Sequence, residues 1–375
     1  MAQGYNAHAD VLTRTADGRD LNQLWTDYQQ MLAEYNSQRQ TMVDFLVTPV
    51  TNPTEIIAQP GQGGEFEEAS EYGVPKGIRA SVDHYTMGFP FKWYDLAARF
   101  TWQFLADATT QQVDAIQAAA IEADSRLVFN SVMRRLFNNQ NSYASINGQA
   151  YNVYAFYNGD GTTPPPYRTN TFTGSHTHYI TTGTAVVEAQ DLDDLIGLVT
   201  EHGYTPTQGY RVVVMVNKAE AQTIRAFRSA ASNDGVRDAT HGDWDFIPSQ
   251  GTPAMYLEDR VTLLGGPQVS NNLNGLNVIG SYGDVLIVQD DYVPAGYLVC
   301  FATGGPQNLQ NPIGMRQHPN AALQGMRLVK GPNPDYPLID SYYVRGFGLG
   351  IRHRGAGAVL QVTTNETYSP PTTYA

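Results

Sequence analysis

His176 and His178 stand two residues apart and would project from one face of a strand, the arrangement on which some metal sites are built. A metal needs three or four ligands, and no cysteine or carboxylate cluster stands beside the pair in the chain, so no metal is expected there. Cys300 lies in the apolar run Tyr297, Leu298, Val299, Phe301 and has no polar neighbour that would activate a thiol. A buried, inert thiol is expected. As the one cysteine it cannot form a disulfide within the chain, which fits a reducing compartment. Gly346-Phe347-Gly348-Leu349-Gly350 has the wrong spacing for a dinucleotide loop and lacks the following helix. Its glycines are expected to let strands pack closely or bulge. The chain has no Gly-Lys-Ser/Thr phosphate loop. His241, Asp243 and Asp245 surround Trp244 in a loop that reads as the seat of an anchored aromatic ring, not as an acid–base pair. Catalytic, cofactor-binding and metal residues are all expected to be absent, and the chain reads as a non-enzyme.

The 375 residues suffice for about two or three compact units. Hydrophobic residues make up 42%, enough for a real core, yet no apolar run approaches a membrane span. Residues 1–18 are polar, of mixed charge, and unlike a signal peptide. Net charge is −13 with four lysines, Lys76, Lys92, Lys218 and Lys330, so the basic face that grips nucleic-acid phosphates is missing. Glycine (35), proline (21) and tyrosine (23) point to long loops and β structure. Charged residues are only 16%, which with so many tyrosines suggests a surface that meets other protein.

These residues must be positioned by elements the periodicity locates. After a polar arm, Leu21, Leu24, Trp25, Tyr28, Met31, Leu32 and Tyr35 predict a helix from Asp20 to about Leu46, ended by Pro49 and Pro53. Its single apolar stripe needs a partner surface. Thr54 to Gln59 reads as a strand, followed by Pro60-Gly61-Gln62-Gly63-Gly64, the acidic group Glu65, Glu67, Glu68 and Glu71, then Lys76 and Arg79. One period-two strand then carries Tyr85, Met87, Phe89, Phe91 and Trp93 on a single face, so that residues 51–95 form a projecting hairpin with little core of its own. The strongest helix runs from about Thr109 to Asn138, opened by a Thr109-x-x-Gln112 capping box. Val113, Ile116, Leu127, Val128 and Val132 are its expected core, and Arg134 and Arg135 suit the negative end of its dipole. Residues 138–184 read as short strands and ordered loop. Asp191 is expected to cap a helix stopped by Gly203, Tyr210–Val216 to form a strand buried on both faces, and Asn217 to cap a helix reaching Ala230. Strands follow near Val261–Leu264 and Val285–Val288, then a Gly/Pro/Asn-rich connection from Thr303 to Pro337. Two β segments, Ser341–Arg352 and Ala356–Thr363, close the chain.

Four stretches in this order resemble the major capsid proteins of tailed double-stranded-DNA phages, whose fold is shared with encapsulin shells and the herpesvirus capsid floor. MGFPFKWYDLAARF followed by TTQQVDAIQAAAIEADSRLVFNSVMRRLF resembles that family's passage from extended loop to spine helix. DLDDLIGLVTEHGY with RVVVMVNKAEAQTIRAF resembles the helix–strand–helix that opens its axial domain, and YLEDRVTLLGGPQVSNN a late strand and Gly-Pro turn. SYYVRGFGLGIRHRGAGAVLQV resembles the closing strand, with Gly355 where members commonly carry proline. The likeness spans roughly residues 20–363 and rests on architecture more than on a signature.

The resemblance implies an α+β fold with an N-terminal arm (1–50), an extended loop (51–95), a peripheral domain with the spine helix (96–185), an α/β axial domain (186–337) and closing β segments with a tail (338–375). It implies self-assembly into pentamers and hexamers of an icosahedral shell around double-stranded DNA, with procapsid maturation, in a virion assembled in the bacterial cytoplasm. The acidic charge would suit a wall that does not stick to its contents. Leu24, Trp25, Tyr28, Glu65, Glu67, Glu68, Glu71, Lys76, Arg79, Phe89, Phe91 and Trp93 are the expected inter-subunit contacts, because the arm and the loop cannot bury themselves. The short segment before the loop implies a separate scaffolding protein; a portal and a decoration protein are further expected partners, and no membrane is. Both tails are expected to be held by neighbours. Lys76 and Lys92 lie where some relatives cross-link covalently, but no local motif pairs them, so non-covalent clasping is expected. An encapsulin-type compartment, a tail or decoration subunit, and a hydrolase are the alternatives.

Overall fold

Thr109 and Asn138 bracket a helix that runs Thr110–Phe137, with the Gln112 side chain accepting the Thr109 amide at 2.9 Å. The computed structural model describes residues 13–38, 41–58, 68, 84–98, 100–146, 148–229, 241–249, 270, 272–273, 275–330, 338 and 341–374. Val113, Val128 and Val132 of the long helix are buried, and Leu127 packs half-buried against the same core. Ile116, expected inside, is exposed. The buried stripe instead passes through Val113, Gln117, Ala120, Asp124 and Val128. Two of those positions are polar because each has a partner. The Tyr343 hydroxyl donates to Gln117, and Asp124 accepts from Arg345 and, at 2.8 Å, from the Tyr35 hydroxyl. An apolar-period search cannot see such a stripe.

Asp20 caps the arm helix Leu21–Ser37, accepting from the amides of Asn22 and Gln23. The chain does not continue as one helix to Leu46. A short helix Thr41–Leu46 follows, then a strand Val47–Val50 that contains Pro49 and pairs in parallel with Ile313–Arg316. Proline is tolerated there because the strand lies at a sheet edge. Leu21, Leu24, Tyr28 and Leu32 pack against Val113, Ala120, Met326, Leu328 and Tyr343 of the same chain. Leu24 and Tyr28 are therefore not available to a neighbour. Their stripe finds its partner in the chain's own body, and the Tyr28 hydroxyl donates to Asp114 at 2.7 Å.

An eight-stranded sheet follows the order Phe246–Pro248, Leu276–Tyr282, Val285–Gln289, Arg211–Val216, Tyr297–Thr303, Gly357–Gln361, Tyr179–Thr181, with Asn272–Leu273 beside the second. Its central strand is buried on both faces. Val212, Val214 and Val216 join the core under the helices Ala189–Thr200 and Lys218–Ile224, while Val213 and Met215 face the C-terminal half of the long helix. The first of those helices begins at Ala189, with Asp191 in its first turn accepting the Glu188 amide at 2.7 Å. The second ends at Ile224 and not at Ala230, and Arg228–Ser229 pairs with His241–Gly242. The strand expected near Val261–Leu264 lies outside the described residues.

The connection from Thr303 to Pro337 contains two strands, Ile313–Arg316 and Met326–Val329. Four-residue strands among Gly, Pro and Asn are too short for periodicity to register. Both pair with the closing strand Ser341–Ile351, which also pairs with Lys92–Ala98, making a five-stranded sheet. The chain then turns through Arg352–Ala356 and enters the eight-stranded sheet as Gly357–Gln361. The fold is α+β, and one closing segment belongs to both sheets.

Candidate functional site

Thr54–Ala58 and His84–Gly88 pair in antiparallel register from Thr54 against Gly88 to Ala58 against His84. The single strand expected over Tyr85–Trp93 is two. The backbone leaves the hairpin at Gly88, passes over the closing strand through Phe89–Phe91, and joins the five-stranded sheet as Lys92–Ala98. Gly346, Gly348 and Gly350 share the face that this crossing covers. A Cβ at Gly348 would overlap the Pro90 carbonyl oxygen, one at Gly350 would stand 2.8 Å from that of Gly88, and one at Gly346 2.5 Å from the Phe91 ring. Phe89 fills the space over Gly314 and Gly350 and is fully buried, so it is core and not an inter-subunit contact. Arg316 donates to the Phe89 carbonyl at 3.0 Å.

This segment leaves three large apolar side chains outside, beside the exposed Lys92 and Asp95. Ile56 is 71% exposed, Trp93 50% and Leu96 47%. Phe91 is half-buried, edge-on to Trp93 at 5.2 Å. Beyond the closing strand, Lys92–Ala98 pairs with no strand among the described residues. Trp25 is half-buried against the arm-helix core, and Glu68 is exposed. Glu65, Glu67, Glu71, Lys76 and Arg79 lie outside the described residues. Cys300 is buried, and burial pushes its thiol pKa up. Trp244 is 56% exposed and so is not the anchored ring expected of it. The carboxylates of its loop act locally: Asp245 accepts the Ser229 amide at 2.8 Å.

His176 and His178 lie just before the strand Tyr179–Thr181, and the fold brings two more ligand-type side chains to them. Glu201 caps the end of the helix Ala189–Thr200, and His202 follows, ahead of the turn at Gly203, whose φ is +88°. The Nε2 atoms of His176 and His202 are 3.0 Å apart, those of His176 and His178 3.1 Å, and Glu201 Oε1 is 3.3 Å from His176 Nε2. Tyr157 and Phe172 stack on His202, at 5.3 and 4.2 Å. Burial first, then the neighbouring His176, pushes His202 down to about 3, and burial likewise holds His178 well below the usual imidazole value. Burial raises Glu201 to about 7. The expectation that His176 and His178 lack further ligands is thus overturned. Their partners are supplied from 26 residues away in sequence, where no local motif could point.

No family model and no curated protein matches the chain. Among solved structures it is similar to one from Mycobacterium phage Patience, at 43% identity and a TM-score of 0.74, with 100% of this chain and 97% of that one covered. Fainter likenesses include the mature capsid of bacteriophage PhiM1 (9% identity, TM-score 0.45, 87% and 88% covered). An encapsulin complex from Synechococcus elongatus is comparable (14%, 0.41, 88% and 90%).

Proposed function

The chain belongs to the family of tailed-phage major capsid proteins, and we propose that its exposed edge strand and hairpin are the surfaces through which copies join into pentamers and hexamers. It is a shell-forming component of a virion and associates with copies of itself. One observation carries the proposal. Ile56, Trp93 and Leu96 stay in solvent on a hairpin and a sheet edge, while Ile57, Met87 and Phe89 of the same segment are buried. An open edge with apolar side chains is a template for another chain, and a folded protein keeps one when a neighbour covers it.

In this reading the acidic group Glu65, Glu67, Glu68 and Glu71 meets basic residues of the next subunit. Such exposed pairs contribute about 0–1 kcal/mol each and matter through repetition over the lattice. The shell is icosahedral and holds double-stranded DNA without reading its sequence, as the net charge of −13 favours. A separate scaffolding protein, a portal and a decoration protein complete the particle, which forms in the bacterial cytoplasm. The five-stranded sheet with the long helix would be the peripheral domain and the eight-stranded sheet the axial one. The protein would work by contact and not by catalysis.

A double variant, Trp93→Asp with Leu96→Asp, is expected to yield folded subunits with the circular dichroism of the unaltered chain but no closed shells by negative-stain microscopy. Normal shells from that variant would remove the edge from the interface.

A further inference from the structure

We propose that His176, His178, His202 and Glu201 form a zinc site that ties the loop before the strand Tyr179–Thr181 to the end of the helix Ala189–Thr200. Three imidazole nitrogens and one carboxylate oxygen lie within 4.8 Å of one another. Zinc bonds of about 2.0–2.1 Å in tetrahedral geometry place ligand atoms about 3.3 Å apart. The separations of 3.0, 3.1 and 3.3 Å around His176 Nε2 are close to that value, and Glu201 Oε1 is 4.0 Å from His202 Nε2.

Hydrogen bonding alone cannot satisfy this cluster. The Nδ1 of His178 is 2.7 Å from the Gly357 carbonyl, to which it can only donate, so in the neutral ring Nε2 carries a lone pair. The Nε2 of His176 is crowded by that lone pair, by His202 Nε2 and by Glu201 Oε1, and a single ring proton can serve one of the three. Glu201 Oε1 is buried and has no hydrogen-bond partner among the described residues. A divalent cation at the convergence point satisfies all four atoms at once. Holding a ligand histidine through Nδ1–H to a backbone carbonyl is also how metal-binding imidazoles are oriented.

Three imidazoles with a carboxylate suit zinc, and a filled fourth position makes the site structural, with no open place for a substrate. Tyr157 and Phe172 wall it off, while the partly exposed side chains of His176 (16%) and Glu201 (31%) leave an entry path. The nearby positive charge of Arg354 is already balanced by Asp160 at 2.9 Å. Gly355 belongs to the same design: a Cβ there would stand 3.0 Å from the His202 ring.

The test needs no assembly and does not rest on the shell reading. Untagged full-length protein grown with zinc and exhaustively dialysed is expected to retain about one zinc per chain by mass spectrometry. After chelation, added cobalt(II) should give the intense visible absorption of four-coordinate cobalt, displaced by zinc. Stripping should lower the thermal midpoint by more than about 4 °C and zinc should restore it. H176A, which alters the most exposed of the three rings, should lose the cobalt absorption and at least about tenfold in zinc affinity. Should that variant not fold, the response of the unaltered chain to chelator and zinc decides. Protein that takes up neither metal, or a weak six-coordinate cobalt spectrum, would overturn the site.

Discussion

Arg354 concentrates the residue-scale physics. It is fully buried, its guanidinium lies 4.7 Å from the ring centres of both Tyr154 and Tyr157, and it donates to the Ala155 carbonyl, Asn158 and Asp160. A buried cation is tolerated only while paired. Asp160→Asn leaves it without a counter-charge and is expected to cost about 2 kcal/mol in urea unfolding. Burial raises the Asp160 carboxyl, but the Arg354 guanidinium and hydrogen bonds from Thr162 and Asn141 outweigh it, so the net shift is downward. A folded value below the unfolded one, about 3.9, stabilises fully above that pH and loses the effect as pH falls through the folded value. Acid titration should therefore show the gap between the parent and Asp160→Asn closing below about pH 4. A constant gap would mean that the carboxylate is not Arg354's partner. The local sequence marks Arg354 only as a charge between two strands, because Asp160 lies 194 residues away.

At the scale of elements, the crossing of Gly88–Trp93 over the closing strand separates two kinds of glycine. The Cβ of an alanine at 348 would overlap the Pro90 carbonyl, and one of two covalently constrained backbones would have to move. Gly348→Ala is expected to cost at least about 3 kcal/mol or to abolish soluble expression. Gly197 lies within the helix Ala189–Thr200, and a methyl group added there would meet nothing within 4 Å. Gly197→Ala should raise stability by about 0.5–1 kcal/mol, as calorimetry would register. Equal effects of the two would contradict the crossing. The spacing of glycines 346, 348 and 350 does suggest close approach in the sequence. Which segment approaches is not readable, because the alternation from Tyr85 to Trp93 continues unbroken through a change of sheet.

Across the whole molecule, the closing segment couples two sheets: Ser341–Ile351 lies in the five-stranded layer, Gly357–Gln361 in the eight-stranded one, and Arg352–Ala356 joins them. The arm helix docks on its own body, which moves the expected need for a neighbour away from the arm and onto the hairpin and sheet edge. Lys92 is exposed on that edge, and Lys76 lies outside the described residues. Clasping through such a surface needs no covalent bond. Particles boiled in detergent are expected to run as a single-chain band on a gel, and laddered multimers would reveal cross-links instead.

Much of the fold was legible where the signal was local. The caps at Thr109 and Asn217, the unbroken apolar run through Val212–Val216 and the two closing strands all follow from backbone amides needing partners and apolar side chains needing burial within a few residues. Tertiary structure alone decided the rest. Gln117 and Asp124 are inside because Tyr343 and Arg345, more than two hundred residues away in sequence, complete their hydrogen bonds. His176 and His178 gain Glu201 and His202 because a helix end and a strand entry meet in space. A polar group's cost of burial depends on the partner it meets, and partners distant in the chain leave no mark in the spacing of neighbours.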